Sequence, residues 1–142
     1  MKRFRASIAI ALPAVLLSLL FLSPTVTTSA APQHGFSVKQ YEEFHDVLHP
    51  LEHEALPKKD FRAIRAKSGL LVKRGQAIVR LGMPASMGEE NKEEFKKCLD
   101  TFNKALIRFR NSARRGSNAQ LKTTYSAVHD SFEILASTLP RS

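Results

Sequence analysis

Residues 117–139 read SNAQLKTTYSAVHDSFEILASTL, and within them Leu121, Tyr125, Val128, Phe132, Leu135 and Leu139 recur at spacings of three and four. An α-helix turns once in about 3.6 residues, so this spacing gathers the six apolar side chains on one stripe. Ser117 followed by Gln120 is a capping box, a hydroxyl and an amide that satisfy backbone N–H groups at the helix start. The segment is an amphipathic helix, and its stripe needs partners to bury against.

Three further segments supply them. Tyr41, Phe44, Leu48, Leu51 and Ala55 repeat the pattern, opened by Ser37 and Gln40 as a capping box with Phe36 and Tyr41 as a hydrophobic staple. Leu56-Pro57 ends that helix, and Pro57 suits the first turn of the next, where its missing N–H has no partner to lose. Helix two runs from Lys58 to Leu81, with Phe61, Ile64, Leu71 and Ile78 as apolar markers, and Gly82-Met83-Pro84 stops it. Ser86 and Glu89 form a capping-box pattern before helix three, which carries Phe95, Leu99, Phe102, Leu106 and Phe109 and closes at Gly116. No segment alternates as a strand does. Four helices of similar length with short connections predict an all-α, up-down-up-down antiparallel four-helix bundle.

The bundle is expected over residues 31–142, because residues 1–30 have another character. Lys2, Arg3 and Arg5 precede an apolar run, Ile8–Leu22, and a small polar segment ends at Ala30. Basic, greasy, then small is the order of a secretory signal peptide, with cleavage before Ala31. The run is 15 residues with Pro13 inside it, short for a membrane-spanning helix. The mature protein is therefore expected to be periplasmic or secreted, with no membrane attachment after cleavage.

Removing residues 1–30 takes three of the 22 Lys and Arg and none of the 13 Asp and Glu, leaving a net charge of +6. That is basic without reaching the level of a dedicated nucleic-acid binder. Cys98 is the single cysteine, so no internal disulfide forms, and stability must come from packing or a bound group. Basic residues gather where helix two begins (Lys58, Lys59, Arg62, Arg65) and where helix three ends (Arg108, Arg110, Arg114, Arg115), a surface for an acidic protein partner or an anionic lipid. Helix pairs with polar flanks leave a homodimer open.

Helix one also carries His45, His49 and His53, spaced by four and hence stacked on one face. Neutral imidazole is the commonest protein metal ligand, and an i, i+4 pair can chelate one ion. His-Glu-x-x-His is absent, which removes the zinc-protease reading. Pro50 is expected to kink the helix and redirect His53, so His45 and His49 are the stronger candidates. Up-down topology brings His129 of helix four, and Cys98 of helix three, to a similar depth. Cys98 with Met83 and Met87 would suit reduced copper, although buried packing is their commoner use. Gly75, on the core face of helix two, either leaves room for a bound group or permits close helix contact.

At Leu121-Lys122-Thr123-Thr124-Tyr125-Ser126-Ala127-Val128-His129 the chain resembles helix four of the soluble cytochrome b562 family, where a Leu-Lys-Thr-Thr run precedes the axial haem histidine. Phe95–Gly116 is similar to that family's third helix and Gly-containing turn. The resemblance implies the cytochrome b562/c′ bundle and makes His129 the counterpart of an axial ligand. The family's second ligand is a methionine early in helix one, and none occurs from residue 31 to 82, so either His45 takes its place or the haem is absent and helix one holds a bare metal with His129. Residues 1–142 contain no Cys-x-x-Cys-His, the attachment motif of covalent c-type haem.

The leading expectation is an exported, non-enzymatic protein that binds, senses or transfers a transition metal, copper or zinc, through His45, His49 and His129. His53 and Cys98 are lesser candidates. The alternatives are a b-type haem electron-transfer protein with His45 and His129 axial, and a periplasmic adaptor or chaperone-like bundle without a cofactor.

Overall fold

The computed structural model describes residues 36–85 and 87–139. The expected signal peptide and the Ser86 cap lie outside the described residues. The described residues form no strand. They form four α-helices: α1 (Lys39–Pro50), continued by a π-helical turn over Leu51–Ala55; α2 (Phe61–Leu81); α3 (Lys92–Arg115), entered through a 3₁₀ turn at Glu89–Asn91; and α4 (Asn118–Ser137). No helix among them is long and apolar enough to cross a membrane.

The stripes form the core. Tyr41, Phe44 and Leu48 of α1, Ile64, Leu71 and Ile78 of α2, Phe102, Leu106 and Phe109 of α3 and Leu121, Tyr125, Val128, Phe132 and Leu135 of α4 are buried together. Phe132 is the hub, with ring centroids 4.7 Å from Phe44, 6.0 Å from Tyr41 and 6.1 Å from Phe102. Across the same interior the Tyr125 hydroxyl donates to the Leu48 carbonyl at 3.1 Å. Met87 is buried and Met83 packs against the core, which is the packing role.

Gly75 resolves to close helix contact. A Cβ there would stand 2.6 Å and 2.7 Å from the two Leu106 methyls and 3.1 Å from Phe44 Cε2, all in the buried core. Gly75→Ala gains about 1 kcal/mol of helix propensity but overpacks a filled layer, which costs about 1–3 kcal/mol. The expected result is a lower urea midpoint; a raised one would mean that Leu106 swings aside without loss.

Helix starts depart from expectation at α1, α2 and α3. Ser117 and Gln120 do form their capping box. At α1 the N-cap is Val38, with no side-chain cap, and Glu42 reaches back to accept from the Phe36 N–H at 3.1 Å. The Phe36–Tyr41 staple is present, with centroids 6.2 Å apart. α2 starts at Phe61 rather than Lys58, because Asp60 caps it through Ala63 N–H at 2.9 Å. Pro57 thus stays in the connection, which turns at Lys59 with a φ of 54°. α3 starts at Lys92 after the 3₁₀ turn. Its last carbonyls are met by Arg65, whose guanidinium donates to Ser112 (3.1 Å), Ala113 (2.8 Å) and Gly116 (2.8 Å). Arg65 is therefore a C-terminal cap as well as a member of the basic cluster.

Candidate metal site on the first helix

Pro50 has no N–H for the Asp46 carbonyl, yet the helical path continues beyond it. It widens instead: Leu56 N–H donates to the Leu51 carbonyl at 2.9 Å, five residues back, the bond of a π-turn. The widening changes the histidine register. Four residues in an α-helix overshoot a full turn by about 40°, and a wider turn takes part of that back, so His53 comes round above His49. Their ring centroids are 4.3 Å apart, against 5.3 Å for His45 and His49. The expectation that Pro50 would send His53 away from the file is thus reversed. His49 and His53 are both exposed.

His45 is half-buried at the junction of α1 and α4, its ring 5.6 Å from Phe36 and 6.5 Å from Phe132. His129 is also half-buried, with Nδ1 3.2 Å from Asp130 Oδ1. When Nδ1 carries the proton it donates to that carboxylate and Nε2 keeps its lone pair, the orientation usual for metal-binding histidines. Among the described residues no group of three His, Cys, Asp or Glu side chains is arranged to hold a metal ion. Cys98 is half-buried and lines a concavity of about 290 Å³ with Glu94, Lys97, Thr101, Ser131 and Ile134, a set without a histidine.

Glu52, one residue before His53, is a group that sequence reasoning passed over. Its Oε2 is buried without a hydrogen-bond partner, close enough to Tyr125 for its charge to act on the phenol. Burial first, and the Glu52 carboxylate second, hold Tyr125 far above the ordinary tyrosine value, while burial alone does so for Tyr41, whose hydroxyl also has no partner. The signal available was the order His49-Pro50-Leu51-Glu52-His53, the inverted His-x-x-Glu-His of some zinc hydrolases. Here the carboxylate oxygen is enclosed beside Tyr125 while both imidazoles face outward, so the three do not converge as that chemistry requires.

Among the described residues the geometry defines an all-helical arrangement of four α-helices with a pair of neighbouring imidazoles on the first. Compared with known protein families, curated proteins and solved structures, the chain matches none of them.

Proposed function

We propose that this chain is an exported, antiparallel up-down-up-down four-helix bundle that binds a transition-metal ion, copper or zinc, in exchangeable form on its first helix. The order of contacts supports the topology: Arg65 meets residues 112–116 while Gln76 meets Asn103 at 3.1 Å, and Phe44 meets Phe132 while Leu48 meets Tyr125. The basic, apolar and small order of residues 1–30 supports export.

One observation carries the metal reading: His49 and His53 stand 4.3 Å apart, centroid to centroid, on an exposed face. Two imidazole nitrogens suit copper or zinc and leave the other coordination positions to water or to an incoming ligand. Such a half-filled shell favours uptake and hand-over above permanent retention. His45, next in the file, and His129, oriented by Asp130, are the further donors an ion could recruit. The reading is of a binding protein with no catalytic step.

A haem between His45 and His129 fits this interior poorly. The layer of Phe44, Gly75, Leu106 and Phe132 is already filled to contact. Protein mixed with haem is accordingly expected to show no shifted Soret band.

The decisive measurement is a titration of metal-free protein with copper(II) and zinc(II), followed by calorimetry. His49→Ala and His53→Ala are each expected to weaken binding at least about tenfold, the loss of one chelate arm. His129→Ala should change it less. Affinity should fall as pH is lowered, because a ligating imidazole must be neutral. Equal affinity in the wild type and the His49→Ala/His53→Ala double variant would remove the proposal.

A further inference from the structure

No Asp or Glu occurs between Asp60 and Glu89, and none between Asp100 and Asp130, while each stretch carries six Lys or Arg. The fold brings parts of these stretches to one end of the molecule. Arg65, in the first turns of α2, is bonded to the last carbonyls of α3 and, at 3.2 Å, to Asn118 at the start of α4. Lys58, Lys59 and Arg62 precede it, and Arg114 and Arg115 end α3 beside it, all of them exposed. Arg108 and Arg115 line an open concavity between α3 and α4 with Asn111 and Gln120. Among the described residues the ion pairs are Lys39 and Arg74 with Glu43, Lys92 with Glu89, and His129 with Asp130, so no ion pair engages these cations, and Asp60 beside them caps α2 through the Ala63 N–H.

We propose that this basic end docks on an anionic phospholipid surface. Lysine and arginine near such a surface each contribute about 1 kcal/mol, and the contributions accumulate without a shaped pocket. That matches the construction here, where exposed cations ring the helix ends and the tight turn at Gly116 and Ser117. A protein partner is anchored chiefly by aromatic and arginine side chains seated in pockets. Among the described residues the exposed large apolar side chains are Leu70, Leu81, Ile107 and Ile134, with no aromatic among them. Mobile lipid headgroups can move to meet each cation; a rigid acidic protein has to match their positions. The inference is independent of the metal reading, since it uses the opposite set of side chains and no histidine.

The test is sedimentation of the protein with vesicles of phosphatidylcholine alone and of phosphatidylcholine mixed with phosphatidylglycerol. Partitioning is expected on the mixed vesicles only, and should weaken as added salt shortens the screening length from about 10 Å at 0.1 M to about 3 Å at 1 M. Arg62→Gln/Arg108→Gln/Arg115→Gln should lower the partition coefficient about a hundredfold. Lys92→Gln/Lys96→Gln/Lys97→Gln, on the first turns of α3, removes the same charge and should lower it far less. Circular dichroism checks that both variants fold. Equal losses in the two variants would reduce the effect to net charge and overturn the proposal. So would no binding to the mixed vesicles together with binding to polyglutamate, which would assign the end to an acidic protein.

Discussion

Phe132→Ala is expected to destabilise the folded domain by about 3–5 kcal/mol, the usual cost of removing a buried phenyl ring. Phe132 is fully buried, and its ring stands against Phe36, Tyr41, Phe44, His45 and Phe102. Its neighbours come from α1, from α3 and from the residues just ahead of α1, so one truncation opens several interfaces at once. Domains of this size are stable by about 5–15 kcal/mol in total, so the variant should sit at or near the limit of folding. Urea unfolding followed by circular dichroism measures the loss. Ile134→Ala, two residues on and 57% exposed, is the control and should stay within about 0.5 kcal/mol. A loss below about 1 kcal/mol for Phe132→Ala would mean that the surrounding rings collapse into the space, and the hub would have to be placed elsewhere.

That hub was visible in the sequence because periodicity is a local property that burial amplifies. Phe132 lies on a stripe with Tyr125, Val128 and Leu135, and the stripes of all four helices supply most of the core, with Phe61 and Leu99 only partly buried against it. The cap of α4 was visible for the same reason, since Ser117 and Gln120 need nothing beyond each other. Features fixed by tertiary partners were not visible. Ser37 and Gln40 look like a cap, but the chain entering α1 is held by Glu42 and by the Phe36 ring packed on Phe132. Pro57 competed with Asp60 as a helix start, and nothing about a lysine signals the left-handed backbone at Lys59 that decides between them. The candidate site shows the same division. Three histidines on one face follow from spacing by four, whereas the closer approach of His53 to His49 depends on a π-turn that Pro50 permits and does not by itself dictate. Glu52 escaped notice because its environment is made by Tyr125, from the other end of the chain.

The two tyrosines make the protein sensitive to alkali, with a sign that follows from their burial. Tyr41 and Tyr125 are the only tyrosines, both are fully buried, and in both the phenol is held far above its ordinary value of about 10. Above that pH the unfolded chain releases two protons that the folded chain retains. The unfolded state then binds fewer protons, so stability falls as pH rises, by about 1.4 kcal/mol per pH unit for each tyrosine. Below about pH 10 both contributions are constant and stability is fully present. Lysines titrate in the same range, so the informative quantity is the difference between variants. Tyr41→Phe and Tyr125→Phe should each remove about half of the tyrosine-dependent slope, and the double variant all of it. At neutral pH the two should differ. The Tyr41 hydroxyl has no partner, so its removal should be neutral or stabilising, whereas Tyr125→Phe loses the bond to the Leu48 carbonyl, worth about 1 kcal/mol. Urea midpoints measured from pH 7 to 11 decide the matter. If the double variant kept the wild-type alkaline slope, the phenols would be titrating in contact with water, and the α1–α4 packing that encloses them would be wrong.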